Sequence, residues 1–381
     1  MQKVVIAIDS FKGSLSTFQA GRALSEAVKD VYKDAAVIIS PVADGGEGTV
    51  EAIISATGGK MEDVLVCDPL GRKINAAYGI IPDTKTAIVE MSAAAGITLI
   101  SESERNPLST TTFGVGEIIA DAISTGCRKF VIGIGGSATN DGGVGMLQAL
   151  GFEFLNDKGE QIPLGGMGLK DISEIKTENA LKELKECSFC VACDVKNVLC
   201  GQDGCSAVYG PQKGATPEMI ENMDLWLEKY ARLTKGVLPL SDAAAPGTGA
   251  AGGMGFALLC YLGATLKSGI ELVMQETGLE NHIKDADIVI TGEGRLDGQS
   301  YMGKAPIGVA KLAKKYGKTV IAFSGCVTDD AVICNHHGID AFFPIVRKPC
   351  TASEAMDINN AYKNLKDTAC QVLRLIKKVK L

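Results

Sequence analysis

Acidic residues, glycines, hydroxyl side chains and lysines recur together in five short segments of the sequence. Glycine lets backbone N–H groups approach an anion, serine and threonine add hydroxyl donors, and lysine adds a compact positive charge. Carboxylates bind Mg²⁺ or accept the proton of a hydroxyl group. Together these are the groups that phosphoryl transfer requires. The five segments are DSFKGS (residues 9–14), DGGEGT (44–49), GGSATNDGG (135–143), DVKN (194–197) and GEGRLDG (292–298).

Each segment follows a short apolar run that we predict to be a β-strand. Runs rich in Val and Ile alternate with helical patterns, which is typical of βα units and a largely parallel sheet. Ligands of open α/β sheets bind outside the carboxyl ends of the strands, where these segments fall. The clearest predicted strands are residues 4–8, 36–40, 87–91, 130–134, 189–193, 288–291 and 320–323.

Helices are predicted between these strands. Apolar residues at helical spacing predict an amphipathic helix over residues 17–32, and a second helix is predicted over 115–124. Thr216 and Pro217 are suited to the cap and first turn of a third helix, which carries Trp226. The uncharged stretch 243–266 contains Pro246 and six glycines. It is therefore predicted to be a loop followed by a buried helix, too short for a membrane span.

The composition favours a globular protein with a small-molecule ligand. Apolar residues make up 46% and charged residues 22%, so the chain can bury a sizeable core. The 38 basic and 45 acidic residues give a net charge of −7, and no basic stripe suggests a nucleic acid partner. The first ten residues contain only a five-residue apolar run, so no signal peptide is predicted. We expect a reducing cytoplasm and free thiols.

Residues 298–305, GQSYMGKA, match the spacing of a phosphate-binding loop up to the last position. Ala305 stands where Ser or Thr would bind magnesium, and the predicted strand ends at Thr291, seven residues before Gly298. A phosphate loop of the Walker type is therefore disfavoured. Pro306 suits the first turn of a helix, so Lys304 is expected beside a helix amino terminus, where anions are favoured. A solvated surface lysine is the alternative.

Two other patterns suggest different classes of protein. Residues 133–138, GIGGSA, fit a dinucleotide fingerprint and keep an NAD-dependent oxidoreductase as an alternative, although residues 140–143 extend the loop where a helix should begin. Five cysteines fall between residues 187 and 205, but three of them alternate faces along a predicted strand and cannot converge on a metal. Free, buried cysteine is the preferred interpretation. The three histidines show no ligand pairing.

Seven segments occur in a fixed order that covers almost the whole chain. They are DSFKGS (9–14), PVADGGEGT (41–49), IGIGGSATNDGG (132–143), ACDVKN (192–197), GPQKGA (210–215), PGTGAAGGMG (246–255) and TGEGRLDGQSYMGKAP (291–306). In content and order they resemble the bacterial-type glycerate kinase family, which transfers phosphate from ATP to D-glycerate. No single-motif alternative matches the chain over a comparable length.

The resemblance implies an α/β protein with a Rossmann-like parallel-sheet domain formed by both chain ends, residues 1–66 plus 287–381. A second α/β domain, residues 67–286, would be inserted, with the active site in the cleft between them. It implies ATP and Mg²⁺ as cosubstrate and metal, D-glycerate as the small-molecule substrate, and 2-phospho-D-glycerate as the product. The 3-phosphate is the alternative product. Whether the chain forms homo-oligomers is left open.

Individual roles are hypotheses that we assign by the chemistry of each side chain. The substrate hydroxyl must lose its proton to a carboxylate, for which Asp194 is the first choice and Asp9 the second. Lys12 and Lys213 are expected to neutralise phosphate oxygens, and Arg295 to bind the glycerate carboxylate. Further contacts are assigned to Ser10 and Asn140 at the substrate, to Asp44, Glu47 and Glu293 at magnesium, and to Gly135, Gly136, Ser137, Gly252, Gly253 and Lys304 at the nucleotide phosphates.

Overall fold

The computed structural model describes residues 1–46 and 48–379, apart from the side chain of Met302. The chain forms two compact units. The first unit comprises Met1–Asp44, Glu51–Thr57 and Ile270–Leu381, and the second comprises Gly45–Val50 and Gly58–Gly269. Both ends of the chain therefore belong to one unit.

Strands and helices alternate along most of the chain. The strands of the described residues are β1 (Lys3–Ile6), β2 (Ala36–Ile39), β3 (Lys60–Cys67), β4 (Lys73–Ile81), β5 (Thr86–Glu90), β6 (Lys129–Gly133), β7 (Glu153–Leu155), β8 (Glu174–Lys176), β9 (Ser188–Ala192), β10 (Thr265–Lys267), β11 (Ile288–Leu296), β12 (Thr319–Val327) and β13 (Ala341–Pro344). The α-helices are α1 (Thr17–Val31), α2 (Thr49–Thr57), α3 (Ser92–Ala95), α4 (Phe113–Ser124), α5 (Val144–Ala149), α6 (Cys205–Tyr209), α7 (Pro217–Val237), α8 (Ala250–Leu262), α9 (Gly269–Glu276), α10 (Leu279–Ile283), α11 (Ala305–Lys315), α12 (Ile333–His336), α13 (Ala352–Met356) and α14 (Ile358–Val379).

The first unit is built on a five-stranded, fully parallel sheet of order β13-β12-β11-β1-β2. From β1 the chain proceeds outward to β2 on one side, whereas β11, β12 and β13 follow in turn on the other. The order therefore reverses between β1 and β11. Such a reversal separates the loops on either side and leaves a crevice for ligands at the carboxyl ends of the strands.

Both faces of this sheet are covered by helices, so its strands are apolar throughout. Along β1 the side chains alternate: Val4 and Ile6 belong to one apolar cluster and Val5 to another. The first cluster includes buried residues of α1 and α14, and the second includes those of α10 and α11. This double burial positions the loops that follow β1 and β11.

The second unit contains a six-stranded sheet of order β10-β9-β6-β5-β4-β3. The first four of these strands are parallel, whereas β4 and β3 are antiparallel to their neighbours. One large apolar cluster surrounds the sheet and takes in residues of α4, α5 and α8. A separate antiparallel pair, β7 and β8, completes the strands described in this unit.

The α/β class with parallel sheets is confirmed, and all seven predicted strands are present. The helix predicted over 17–32 is α1, the one over 115–124 is α4, and the Thr216 hydroxyl caps α7 by accepting from the Met219 N–H at 3.3 Å. The predicted end of one strand at Thr291 is wrong. That strand, β11, continues to Leu296 because its second half pairs with β12.

The stretch 243–266 folds as the predicted loop and helix, here α8. Its first turns are irregular, since Ala251, Gly252 and Gly253 all have left-handed backbone angles. Within the described residues, the helices are all too short or too polar to cross a membrane.

The two units are bounded differently from the predicted domains. Residues 58–66 lie in the second unit because β3 pairs with β4 along its whole length. Residues 270–286 lie in the first unit, where Ile270, Leu279 and Ile283 are buried in the apolar cluster beneath α11.

Candidate active site

A pocket of about 720 Å³ lies in the first unit, at the carboxyl ends of its strands. Its polar lining follows β1, β2 and β11, next to the position where the strand order reverses. Sites that bind small ligands commonly take this form, with a few convergent polar groups in an otherwise apolar cavity. Seven of the sequence-predicted residues line it together: Asp9, Ser10, Lys12, Asp44, Glu293, Arg295 and Lys304.

Asp9 is the most strongly perturbed group in this pocket. It is 6% exposed, and its own N–H donates to the carbonyl oxygen of Gly292 on β11, 3.0 Å away. Burial and the negative charge of Asp44 raise the pKa of Asp9 from 3.8 to about 7, although the Ser10 N–H donates to its Oδ1 at 2.6 Å and opposes the shift. A carboxyl group with a pKa near neutrality is suited to accept and release a proton.

Glu293 is the second carboxylate of the pocket that is largely shielded from solvent, with a side chain that is 12% exposed. Its Oε1 accepts a hydrogen bond from the Ser300 hydroxyl at 2.7 Å, and its Oε2 lies 3.6 Å from the ammonium of Lys304. Burial raises the pKa of Glu293, while the Ser300 hydroxyl and Lys304 oppose this. The charge of Glu293 also raises the pKa of Asp9, so the two carboxylates are electrostatically coupled.

The loop with phosphate-loop spacing follows directly from β11, but an aspartate of the protein occupies its anion-binding position. The Asp297 Oδ1 accepts from the N–H groups of Gln299 at 3.0 Å and Ser300 at 3.1 Å, and lies 3.5 Å from the Lys304 ammonium. These backbone donors are therefore already used within the loop. The helix α11 begins at Ala305, as predicted from Pro306, and Lys304 occupies its N-cap position without a capping side-chain hydrogen bond to any described residue.

The cations of the pocket differ in how firmly they are held. Lys304 is 34% exposed and contacts two carboxylates, Glu293 and Asp297. Arg295 is 65% exposed, and its Nε lies 3.3 Å from the Asp297 Oδ2. Lys12 is exposed. Arg295 and Lys12 are thus the cations most open to a dissolved anion.

The carboxylates of Asp44 and Glu293 fit a magnesium ion that takes most of its ligands from water and substrate phosphates. Asp44 and Glu293 line the same pocket, and both raise the pKa of Asp9. In the described part of the chain, no three His, Cys, Asp or Glu side chains are arranged as a ready-made cation site. Mg²⁺ usually binds one or two carboxylates and completes its shell with water and substrate phosphates. Glu47, the other predicted ligand, lies outside the described residues.

Lys213 lies in the second unit and is almost completely buried. Its side chain is 2% exposed, and its ammonium donates to the Ser137 hydroxyl at 2.8 Å and to the Thr139 carbonyl oxygen at 2.6 Å. Burial lowers the pKa of Lys213 from 10.5 to about 8. The lysine therefore holds the loop after β6, on which Gly135 and Gly136 are exposed.

The same loop is fixed by buried polar residues. Asn140 is fully buried, and its Nδ2 donates to the Ser206 hydroxyl at 2.9 Å. Asp141 is 1% exposed, and its Oδ2 accepts from both the backbone N–H and the hydroxyl of Thr112. Hydrogen bonds of this kind offset the cost of burying polar groups, and they hold the loop in one conformation.

Gly252 and Gly253 lie against this loop from the start of α8. A Cβ atom at Gly252 would lie 2.1 Å from the Thr139 carbonyl oxygen, and one at Gly253 would lie 2.7 Å from the Gly142 Cα. Both glycines have positive φ, of 69° and 90°. Close backbone packing thus explains why glycine occupies both positions, whether or not they contact phosphate as predicted.

Asp194 follows β9 in the second unit. Its side chain is exposed, and its Oδ1 accepts a hydrogen bond from the Gly269 N–H at 3.2 Å. Among the two carboxylates that the sequence offers as a proton acceptor, Asp9 is therefore the buried one and Asp194 the solvated one.

Two kinds of site residue were not found from the sequence. Asp297 and Ser300 connect the charged groups of the pocket, and their hydrogen bonds become visible only once the loop is folded. The DG pair that contains Asp297 was the only signal, and such pairs are common in turns. The apolar wall of the pocket, which includes Val346 and Met356, comes from a stretch with no motif.

Comparisons with known proteins identify the family to which the chain belongs. The model of the glycerate kinase family matches residues 4–377. Glycerate 2-kinase of Escherichia coli (strain K12) is 48% identical over 363 residues, covering 95% of each chain. Glycerate kinase of Haemophilus influenzae is 46% identical over 374 residues, covering 98% of each chain. The crystal structure of putative glycerate kinase 2 from Salmonella typhimurium LT2 has a TM-score of 0.91 at 46% identity and covers 100% of this chain and 99% of its own. The chain therefore belongs to the glycerate kinase family, as its ordered sequence motifs predicted.

Proposed function

We propose that this protein is an ATP-dependent kinase that phosphorylates D-glycerate on its 2-hydroxyl group, giving 2-phospho-D-glycerate and ADP. The observation that carries the site assignment is the buried Asp9, whose pKa is raised to about 7 in a pocket that also contains exposed cations. The E. coli relative named glycerate 2-kinase supports the position of transfer.

Asp9 is the proton acceptor of the reaction. It takes the proton of the 2-hydroxyl as the oxygen forms its bond to the γ-phosphorus of ATP, and the bond from that phosphorus to the ADP oxygen breaks. Its burial and raised pKa support it ahead of Asp194, which is solvated. A base with a pKa near the working pH is both ionised and basic enough to act.

The surrounding side chains bind the two substrates. Arg295 presents a planar guanidinium that matches the glycerate carboxylate, and Ser10 adds a hydroxyl close to Asp9. Lys12 and Lys304 neutralise phosphate oxygens, which carry most of the charge in the transition state. Gly135, Gly136, Ser137, Asn140 and Lys213, on or beside the loop after β6, together with Gly252 and Gly253, stay candidates for further contacts.

Asp44 and Glu293 would hold the magnesium ion, directly or through water. A bound metal would screen the charge of the transferring phosphate and orient it. In the free protein the charges of Asp44 and Glu293 both raise the pKa of Asp9, and a bound divalent cation would relieve this repulsion. We assign the enzyme to the cytoplasm, since its twelve cysteines are free thiols.

The test measures ADP release from Mg-ATP and D-glycerate, with and without added enolase. The proposed reaction gives ADP in both cases and phosphoenolpyruvate only when enolase is present. ADP without phosphoenolpyruvate would point to the 3-phosphate or to another product. If another hydroxy acid gave ADP and D-glycerate gave none, the assigned substrate would be overturned.

A further inference from the structure

The pocket of the first unit has two chemically different halves. The half next to β1, β2 and β11 contains the charged residues described above. The other half is formed by the ends of β12 and β13 and by α13. Its apolar lining consists of Val327, Pro344, Ile345, Val346, Ala352, Ala355 and Met356.

The pocket is much larger than its small substrate needs. At about 720 Å³ it falls within the range of about 300–1,000 Å³ that is typical of sites for drug-sized ligands. A three-carbon acid and a γ-phosphate fill the charged half but bring nothing apolar to the rest. The apolar half therefore needs an occupant of its own, continuous with the phosphates.

We propose that the apolar half binds the adenine base of ATP. This inference rests on the proposed function and adds to it the place of the nucleotide base. Three strand spacings of about 4.8 Å separate β1 from β13, so the end of β13 lies roughly 14 Å across the sheet from the loop after β1 that carries Asp9. That distance leaves room for a ribose and a triphosphate chain between the base and the reacting hydroxyl.

Two exposed hydrophobic side chains mark the adenine subsite. Val346 is 39% exposed and Met356 is 46% exposed, and both line the pocket. A flat aromatic ring covers such side chains and removes their apolar surface from water. Methionine is well suited to this contact because its thioether is flexible and polarisable.

Met356 also links the two halves of the pocket. Its Cε lies 2.6 Å from the position that a Cβ atom would take at Gly13, so its methyl group packs on the loop that carries Lys12. Gly13 has a φ of 75°, which favours glycine there for its backbone as well. A base held by Met356 therefore directs its phosphates toward Lys12.

Two thiols report on occupancy of the subsite without any turnover. Cys326 and Cys350 line the pocket, and both are exposed. We expect ADP at ten times its Kd to slow alkylation of Cys350 by iodoacetamide about tenfold, since only free enzyme reacts. D-glycerate alone should leave the rate unchanged. Cys187, in the second unit and partly buried, serves as the reference thiol in the same peptide mass spectra.

A bulky substitution tests the same subsite by kinetics. Ala355→Phe fills the apolar half and should raise KM for ATP at least about tenfold, which corresponds to ~1.4 kcal/mol of lost binding. KM for D-glycerate should stay within about twofold, because the charged half is untouched. Ser353→Phe on the same helix is the matched control, since Ser353 is exposed and does not line the pocket.

The outcomes separate this inference from the proposed function. Unchanged KM for ATP in a folded Ala355→Phe variant, or protection of Cys350 by D-glycerate but not by ADP, would overturn the adenine subsite while wild-type kinase activity persists. Lack of glycerate kinase activity in the wild-type protein would overturn the proposed function instead. Circular dichroism and the thermal midpoint show whether each variant is folded.

Discussion

The backbone N–H of Asp9 donates to the carbonyl oxygen of Gly292 across 3.0 Å, and this bond joins two strands that are distant in the sequence. It fixes the end of β1 against β11 where the strand order reverses. Asp9 is thereby held in a buried position beside the charged residues of β11. Catalytic groups are most effective when rigid elements position them in this way.

Asp9→Asn is expected to lower kcat at least about 100-fold, the lower range for a positioned acid or base. The KM values should change little, because the amide keeps the shape of the side chain and can still accept from the Ser10 N–H. In the wild-type enzyme kcat/KM should rise with pH and level off above about pH 7, where Asp9 is ionised. The variant should lack this rise.

Asp194→Asn is the comparison for that experiment, since the sequence alone ranks Asp194 first. Because Asp194 is exposed, we expect the variant to keep kcat within about tenfold of the wild-type value and to retain the acidic limb of the pH profile. A larger loss of kcat in Asp194→Asn than in Asp9→Asn would reverse the assignment of the base.

Asp9→Asn is also expected to stabilise the protein at neutral and higher pH. The pKa of Asp9 is 3.8 in the unfolded reference and about 7 in the fold, so between these values only the folded state keeps the proton. Wild-type stability therefore falls as pH rises from about 4 to about 7, and the roughly three pKa units set an upper limit of ~4 kcal/mol. Urea unfolding at several pH values should show that the difference in free energy of unfolding between Asp9→Asn and wild type widens over that range. A difference that is constant with pH would contradict the raised pKa.

Asp44→Asn should change both the proton and the metal chemistry. Removing its charge lowers the pKa of Asp9, so the acidic limb of kcat/KM moves to lower pH. Removing the proposed magnesium ligand should raise the Mg²⁺ concentration needed for half-maximal activity, about tenfold or more. Asp34→Asn, at an exposed carboxylate outside the pocket, is the control and should change neither quantity.

Arg295→Lys should weaken binding of the acceptor substrate. Lysine keeps the charge but loses the planar, two-pronged donor geometry. We expect KM for D-glycerate to rise about tenfold while KM for ATP stays within about twofold. Arg22→Lys, at a side chain that is 78% exposed on α1, controls for the loss of a guanidinium. An equal rise in both KM values would show that Arg295 does not discriminate between the substrates.

Lys213→Met should alter how stability depends on pH. The pKa of Lys213 is about 8 in the fold and 10.5 in the unfolded reference, so between these values only the unfolded chain keeps the proton. Stability of the wild-type protein should therefore rise relative to the variant from about pH 8 to about pH 10. The control is Lys235→Met at an exposed site on α7. If the free energies of unfolding of the wild-type protein and Lys213→Met changed in parallel between about pH 8 and about pH 10, the lowered pKa would be contradicted.

Much of the fold was predictable because it depends on local pattern. Val- and Ile-rich runs predicted the seven central strands, and capping residues such as Thr216 predicted helix ends. Some strands were missed, among them β3, which is mostly exposed or half-buried, and β13, which has only four residues. The extension of β11 to Leu296 depends on pairing with β12, which no local pattern records.

The sequence by itself determined the family and the residue types available for phosphoryl transfer, because side-chain chemistry and motif order are properties of the chain alone. The tertiary structure decided which of those residues act together. Asp9 acquires its raised pKa from burial and from Asp44 and Glu293, which folding brings to it from distant positions. Asp297 occupies the loop whose spacing resembled a phosphate site, and Lys213 is buried against the loop after β6. Burial and electrostatic coupling depend on distances in space, and those distances exist only in the folded protein.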